Sequence, residues 1–319
     1  MNKQTKSLLR NEIGAYMNVL GEKNSKVVVV NADLSGTCRN KAFVEQYPER
    51  SFNTGIAEQN LVSFAAGLAH EGFLPYAFSM APFLTMRACE QCRTDVAYAN
   101  LPVRLMGVYA GMSGGISGAT HWAIEDCGIM TSIPGIIVLE PSDANQVKKM
   151  LDATLNIDRP IYMRSSVEAV DDIYEEDYNF VLGGSTEVRH GDDAAILCSG
   201  VIVQYAIAAA DLLKKNYNIS VRVVDMYSIK PVDKEAIINA ANTGTVLVAQ
   251  DHNIYGGLGT MVAMAIANAG IRTKFEIAGL NDKYVAMAHA GYLYHKFLLD
   301  EVGLVTRVLK LLGMESPAV

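Results

Sequence analysis

The sequence predicts an α/β protein of two domains. Short runs of β-branched residues alternate with segments of helical periodicity along the whole chain. At 319 residues, the chain is long enough for two domains of about 150 residues each. Half of the residues are hydrophobic and 19% are charged, as is typical of a globular protein with a large core. We therefore expect parallel strands in sheets that are covered by helices.

The first domain is predicted to span residues 1–166. Its expected strands are "KVVVV" (26–30), "LPYAF" (74–78), "VRLMGV" (103–108), "IIVL" (136–139) and "IYM" (161–163). The segments between them with helical periodicity are 57–70, 83–99 and 143–155. Strands that alternate with helices in this way favour a parallel sheet with helical crossovers.

A smaller second α/β domain is predicted for residues 190–319. The acidic, aperiodic stretch "SSVEAVDDIYEEDYNF" (165–180) and a Gly-Gly pair separate it from the first, so we interpret residues 167–189 as a linker. Its expected strands are "AAILCSG", "SVRVVDM", "TVLVAQ" and "TKFEIAG". Helices are expected near 201–216, 233–241 and 258–269, and at the final "VTRVLKLL".

Charge and hydropathy exclude several classes of protein. The net charge of -7 lacks the basic footprint of a nucleic-acid-binding protein, so no nucleic-acid partner is expected. Arg10 and Glu12 interrupt the place where a secretion signal would be apolar, and no apolar run reaches about 18 residues. Five scattered cysteines, an odd number, favour a reducing cytoplasm. We expect a cytoplasmic protein without a membrane partner.

Glu58 is the first candidate functional residue. In a helix over 57–70 it shares a face with Val62, Ala65 and Ala69, which are apolar. A buried carboxylate is costly unless it holds a proton or hydrogen-bonds a specific partner. Because residues 51–86 contain no Lys or Arg, we expect no cation beside it. The plainer alternative is a helix-capping glutamate near the positive end of the helix dipole.

Several longer motifs decide between these interpretations. The stretch "NTGIAEQNLVSFAAGLAHEGFLPYAFSMAPFLTMRACEQCRTDVAYANLPV", with "GATHWAIEDCGIM" and "PGIIVLEPSDANQ", resembles the pyrimidine-binding domain of transketolases. Residues from about 190 onward, including "DHNIYGGLGTMV", are similar to the transketolase C-terminal domain. The motifs follow in the family's order over nearly the whole chain. The resemblance implies an enzyme that depends on thiamine diphosphate.

The resemblance also implies which side chains contact the cofactor. Glu58, in the family's G-I-x-E motif, would hydrogen-bond N1′ of the aminopyrimidine and activate the cofactor by sharing a proton with it. A nearby cation would weaken this proton sharing, so the uncharged stretch is compatible with the role. Phe83 would stack on the aminopyrimidine. The other expected cofactor contacts are Ile56, Asp33 in "NADLSGT", and Met80 and Met86, which replace aromatics common in the family.

The expected substrate contacts include two departures from the family pattern. His121, in "GATHWA", matches the histidine that faces the reacting carbons, and we expect it to contact sugar hydroxyls or move protons. Ser117 stands where transketolases usually have an Asp, and Tyr109 where they have a phosphate-contacting His. Arg164 in "YMRSS" matches the phosphate-binding Arg, and Thr37 a phosphate-side hydroxyl. The resemblance thus implies an anionic sugar, with phosphate and other oxyanions both open.

One half of the expected active site is missing from the sequence. A complete transketolase has a further domain that binds the cofactor's diphosphate through Mg²⁺ and carries a Gly-Asp-Gly stretch, and no "GDG" occurs here. The resemblance is therefore to the C-terminal subunit of a split transketolase. It implies a partner subunit that supplies the Mg²⁺ ligands, an α2β2 heterotetramer and no activity of this chain alone.

The implied reaction is transfer of a two-carbon ketol unit from a ketose to an aldose. One rival is the β subunit of a 2-oxo-acid dehydrogenase, which has the same pair of domains, although "FSMAPFLTMRACEQ" and "GATHWAIED" look like transketolase. Another is a non-catalytic regulatory paralogue, which Ser117 and Tyr109 favour. The presence of Glu58, Phe83 and His121 argues against that second rival.

Overall fold

The computed structural model describes residues 6–284 and 286–315. Its strands are β1 Lys6–Leu8, β2 Val27–Asn31, β3 Ser51–Asn53, β4 Leu74–Met80, β5 Arg104–Val108, β6 Ile137–Leu139, β7 Ile161–Ser165, β8 Ala169–Asp171, β9 Thr186–Arg189, β10 Ala194–Cys198, β11 Val221–Asp225, β12 Ser228–Lys230, β13 Thr245–Asn253 and β14 Lys274–Leu280. Its α-helices are α1 Leu9–Lys23, α2 Lys41–Gln46, α3 Glu58–His70, α4 Cys89–Gln91, α5 Asp126–Ser132, α6 Ala144–Thr154, α7 Ile202–Tyr217, α8 Lys234–Ala241, α9 Leu258–Ala269, α10 Ala290–Lys296 and α11 Glu301–Leu312. None of these helices has the length and apolar composition needed to cross a bilayer.

The first sheet has seven strands in the order β12-β6-β7-β5-β4-β2-β3. The pairs from β6 to β3 are parallel, and β12 joins β6 antiparallel from the second half of the chain. All five residues of β2 are buried, as expected for a strand covered on both faces. The predicted α/β class is confirmed.

The second sheet has five strands in the order β14-β13-β10-β11-β9. The pairs from β14 to β11 are parallel, and the edge strand β9 pairs antiparallel with β11. A separate two-stranded ribbon pairs β1 with β8. Both β8 and β9 lie inside the predicted linker 167–189, so that segment forms strands of its own, and the domain boundaries stay a prediction.

Helix α1 is absent from the elements that the sequence patterns predict. Its apolar residues Leu9, Ile13, Met17 and Leu20 recur at three- and four-residue spacing and are almost completely buried. They belong to the same hydrophobic core as residues of α6. Burial of this amphipathic face stabilises α1, which begins without a side-chain cap.

The predicted helix over 83–99 differs from an ordinary α-helix. Residues Phe83–Arg87 and Cys92–Tyr98 form wide turns of the π type, and only α4 between them is α-helical. Such wide turns are frequent near functional sites. This segment follows β4 almost directly, so it begins at the carboxyl end of a central strand.

Parallel pairing brings several loops to one edge of the first sheet. The carboxyl ends of β2, β3, β4 and β5 all point to this edge, since these neighbours pair parallel. Asp33 follows β2, Glu58 follows β3, Phe83 follows β4 and Tyr109 follows β5. Because ligands of open α/β sheets bind at this edge, the topology places these predicted residues where a site is expected.

Candidate active site

Glu58 is the first residue of α3 and is almost completely buried, with 1% exposure. Its Oε1 accepts a hydrogen bond from Ser79 Oγ at 3.1 Å. Its Oε2 accepts one from Arg87 Nη1 at 2.6 Å. The carboxylate therefore has a donor on each oxygen, and one of these donors is a cation.

The expectation that no cation lies beside Glu58 is wrong. Arg87 is the first Lys or Arg after the uncharged stretch of residues 51–86. The chain turns at the end of β4, and the wide turn Phe83–Arg87 carries the guanidinium back to α3. Separation in sequence hides this contact, because the partners are 29 residues apart. The Arg87 side chain is 46% exposed, so water screens the ion pair from one side.

An aromatic ring and an imidazole lie next to the buried carboxylate. The centre of the Arg87 guanidinium is 4.4 Å from the centroid of the Phe83 ring. The rings of Phe83 and His121 meet edge to face, with centroids 5.4 Å apart. His121 Nδ1 hydrogen-bonds Thr120 Oγ1 at 2.9 Å. Glu58, Phe83 and His121, which the sequence predicts separately, thus form one cluster through Arg87.

The remaining predicted cofactor residues have varied environments. Ile56 is 79% exposed and Met86 is 42% exposed, which is high for large apolar side chains. Met80 is half-buried against the core. Asp33 has a left-handed backbone with φ of 59°, and its Oδ1 accepts a hydrogen bond from Asn53 Nδ2 at 3.1 Å.

Two predicted substrate residues converge on a cation that the sequence interpretation misses. Arg10 Nη1 donates to Tyr109 Oη at 3.3 Å and lies 3.5 Å from the carbonyl oxygen of Thr37. Arg10 Nε is buried without a hydrogen-bond partner among the described residues. Tyr109 also lines a cavity of about 310 Å³ between the two halves of the chain, together with Ser117, Glu168 and His289.

Arg164 does not lie in this cavity. Its side chain has no exposed area, and its Nε lies 2.9 Å from Asp126 Oδ2 while its Nη1 lies 3.1 Å from Glu140 Oε1. Its Nη2 donates to the carbonyl oxygens of Ala123 and Asp251, each at 3.1 Å. Two carboxylates and two carbonyls occupy the guanidinium, so the expected contact between Arg164 and a substrate anion does not fit this structure.

Sequence reasoning misses Ser79, Arg87 and Arg10 as neighbours of the predicted site. Ser79 is a fully buried polar residue on β4, and a buried hydroxyl needs a hydrogen-bond partner. Arg87 follows Phe83 by about one helical turn, which is a usable signal. Nothing local to Arg10 indicates its contact with Tyr109, which is 99 residues away.

Comparison with family models matches both halves of the chain. Residues 6–173 match the transketolase pyrimidine binding domain. Residues 183–304 match the transketolase C-terminal domain. Together the two matches cover most of the chain, in the order that the motifs predict.

Individual relatives agree with the family models. The chain is 36% identical over 304 residues to a putative transketolase C-terminal section of Methanocaldococcus jannaschii, and the match covers 95% of each chain. It is 33% identical to an apulose-4-phosphate transketolase subunit of Phocaeicola vulgatus, over 91% of this chain and 93% of that one. A third relative is the 6-deoxy-6-sulfo-D-fructose transketolase subunit of Clostridium sp. strain MSTE9, with 34% identity over 82% of this chain and 84% of that one.

A solved structure has the same fold throughout. It is described as a split gene transketolase in an inactive beta4 tetramer, and it superposes with a TM-score of 0.89 at 34% sequence identity. The match covers 96% of this chain and 99% of that chain. By its two domains, its relatives and its fold, this chain belongs to the transketolase family.

Proposed function

We propose that this chain is the C-terminal subunit of a split transketolase that depends on thiamine diphosphate. The observation that carries the proposal is the buried Glu58 carboxylate, hydrogen-bonded on both oxygens beside Phe83 and His121. Ser79 and Arg87 offset the cost of burying this carboxyl, which has 1% exposure, and a purely structural helix start needs neither the carboxyl nor these donors.

The residues present suit an aminopyrimidine ring. A flat nitrogen donor, the Arg87 guanidinium, bonds Glu58 Oε2 at 2.6 Å and lies 4.4 Å from the centroid of the Phe83 ring. The Glu58 carboxylate and the Phe83 ring thus bind one planar group that carries N–H donors. This supports the proposal that a planar heterocycle binds at the same place. Arg87 is half-exposed and can turn toward solvent to make room. The residues that would hold the cofactor are Glu58, Phe83, Ile56, Asp33, Met80 and Met86.

Each side chain of the cluster has a defined task in this proposal. Thiamine diphosphate, when bound, supplies the nucleophilic carbon that takes the ketol unit from a ketose and passes it to an aldose. Glu58 shares a proton with the ring nitrogen, and Ser79 orients the carboxylate by donating to Oε1. His121 contacts substrate hydroxyls or moves protons from its position beside Phe83. Exclusion of water strengthens the buried hydrogen bond between Glu58 and Ser79.

The far end of the substrate is proposed to carry an anionic group. Arg10, Tyr109 and Thr37 lie together, and Ser117 lines the cavity beside them. One relative is named for a sugar phosphate, apulose-4-phosphate, and another for a sulfo sugar, 6-deoxy-6-sulfo-D-fructose. We infer an anionic ketose or aldose bound at this end by Arg10, because the guanidinium of Arg164 is already occupied.

The proposal includes a partner subunit. Two of the relatives are named as transketolase subunits, and the similar solved structure is described as an inactive beta4 tetramer. We propose a diphosphate-binding partner that supplies the Mg²⁺ ligands and forms an α2β2 heterotetramer with this chain in the cytoplasm. Ile56 lies two residues before Glu58 in sequence, and Met86 directly precedes Arg87. Both side chains are exposed, and we propose that the partner subunit covers them.

The test is reconstitution with a partner followed by substitution of Glu58. This chain is co-expressed with a Gly-Asp-Gly subunit from an adjacent reading frame, and ketol transfer is assayed on a panel of ketoses with thiamine diphosphate and Mg²⁺. Glu58→Gln is expected to lower kcat by about 10²-fold or more with the fold retained, because a general acid–base group is removed. The matched control is Glu71→Gln, at the exposed C-cap of the same helix.

Three other outcomes decide against the proposal. Near-normal turnover by the Glu58→Gln complex rejects the role of this residue. Oxidative decarboxylation of a 2-oxo acid by the pair supports the β subunit of a dehydrogenase instead. A folded complex of the two subunits that shows no activity with any ketose donor supports a regulatory paralogue.

A further inference from the structure

We propose that the second domain positions the active-site loop through Asp251. The loop comprises residues 109–123 and carries Ser117 and His121, and we call it the His121 loop. Its importance for turnover rests on the proposed function, whereas its attachment to Asp251 does not. In this inference Asp251 is a positioning residue that acts on the substrate only through the loop.

Asp251 accepts hydrogen bonds from the His121 loop and from its own domain at once. It lies on β13 of the second sheet and is 2% exposed. Both of its carboxylate oxygens lie within reach of the Met112 backbone N–H, at 2.9 and 3.0 Å. Tyr294 Oη, from α10, donates to Oδ2 at 2.9 Å. A buried hydrogen bond of this kind, shielded from water, fixes the loop backbone more firmly than a solvent-exposed one.

Close packing supports the same attachment. A Cβ built on Gly111 would lie 2.1 Å from the Asp251 carboxylate, and the backbone of Gly111 has φ of 62°. Only glycine satisfies both conditions without strain. A Cβ on Gly115 would lie 2.2 Å from the carbonyl oxygen of Ala288, also in the second domain. The loop backbone therefore fits against the second domain at two places.

The far end of the loop is held by the same strand. Arg164 Nη2 donates to the carbonyl oxygens of Ala123 and Asp251, each at 3.1 Å. Ala123 and Gly111 exchange backbone hydrogen bonds at 3.1 and 2.9 Å, so the two ends of the loop are paired. His121 lies two residues before Ala123. A shift at Asp251 is thus passed to His121 over a short, paired stretch of backbone.

The first measurement is hydrogen exchange of the Met112 amide in the full chain. In Asp251→Ala the amide loses its acceptor, and its exchange is expected to rise by about tenfold or more. Asp251→Asn keeps one acceptor oxygen and should restore part of the protection. The control is Asp225→Ala. Asp225 is another fully buried aspartate of the second domain, but its hydrogen-bond donors lie outside the loop and are Ser142, Gln146 and Tyr174.

The second measurement uses the reconstituted complex. Asp251→Ala is expected to lower kcat/KM for the ketose by about tenfold or more, because a small misplacement of His121 disturbs substrate orientation. The concentration of thiamine diphosphate that gives half-maximal rate should change by less than about twofold, since Glu58 and Phe83 lie outside the loop. Asp251→Asn should recover part of kcat/KM.

Two results overturn the inference. One is unchanged exchange at Met112 in Asp251→Ala. The other is a kcat/KM that falls no further in Asp251→Ala than in Asp225→Ala. If the alanine variant is recovered unfolded, the exchange of Asp251→Asn against Asp225→Asn decides the same question. A wild-type pair without ketol transfer refutes the proposed function, and the exchange experiment still decides the role of Asp251.

Discussion

Arg87 and Arg164 differ at the residue scale because their surroundings differ. Arg164 has no exposed area and is paired with two carboxylates. Arg87 is 46% exposed and paired with one. A fully desolvated guanidinium depends on its partners, whereas a half-exposed one can exchange its partner for water. Arg164 is therefore structural, and Arg87 is able to respond to a ligand.

Removal of Arg164 should destabilise the protein. Arg164→Met leaves Asp126 and Glu140 buried without their cation, and we expect a loss of about 3–5 kcal/mol in the free energy of unfolding. Urea denaturation measures this loss. The control is Arg159→Met, an exposed arginine that donates to the Gly135 carbonyl, which should change stability by about 0.5 kcal/mol or less. Unchanged stability in Arg164→Met, with a raised KM for anionic sugars, would restore the anion-binding role.

Burial also raises the pKa of several carboxyls, and Asp225 and Asp251 are among the most strongly affected. Desolvation raises the pKa of Asp225 from 3.8 to about 7, although Ser142, Tyr174 and Gln146 donate to it and so oppose the shift. Nearby Asp143 adds to the rise. Between pH 4 and pH 7 the folded protein thus keeps a proton that the unfolded chain has released. The stability contributed by this group is present at low pH and is lost as pH rises through 7.

A comparison of Asp225→Asn with the wild type should reveal this pH dependence. Because asparagine does not titrate, the unfolding free energy of the variant should rise relative to wild type by about 2–3 kcal/mol between pH 5 and pH 8. Urea denaturation at both pH values checks this. Asp211→Asn, on an exposed part of α7, serves as the control. A constant difference across the pH range would show that Asp225 is ionised throughout.

At the scale of elements, the His121 loop offers a direct comparison of two glycines. Gly111 and Gly118 both have positive φ, 62° and 77°, but a Cβ on Gly118 meets nothing closer than 3.7 Å. Because Gly118 has ψ of 177°, a region that essentially only glycine adopts at positive φ, Gly118→Ala should cost about 1–3 kcal/mol of stability through backbone strain alone. Gly111→Ala should cost about 1–3 kcal/mol more, because its methyl group overlaps Asp251. Equal losses in thermal or urea unfolding would contradict the close fit.

Sequence patterns predict the elements whose signal is local. Four consecutive valines predict β2, because they fit a strand buried on both faces. The spacing of Val62, Ala65 and Ala69 behind Glu58 predicts α3. The wide turns between Phe83 and Tyr98 escape prediction, as does the ion pair at Glu58, because both depend on contacts between segments far apart in the chain. The same holds for the burial of Arg164, whose contact with Asp251 spans 87 residues.

At the scale of the whole molecule, the two domains share polar groups as well as apolar surface. Asp225 and Asp251 of the second domain accept hydrogen bonds from residues of the first. Glu140 of the first accepts from Ser199 and Gln250 of the second, at 2.7 and 2.8 Å. Buried polar groups of this kind are costly to separate, since each would lose its partner. The two domains are therefore held in a fixed relation around the cavity.

Strand β12 limits which fragments of this protein are suitable for study. It is contributed by residues 228–230 and covers β6, at one end of the first sheet. A fragment that ends at residue 166 would lose this cover and present the bare backbone of β6 to its neighbours in solution. Exposed strand edges promote pairing between chains and aggregation, so such a fragment is a poor choice for crystallisation or for separate expression.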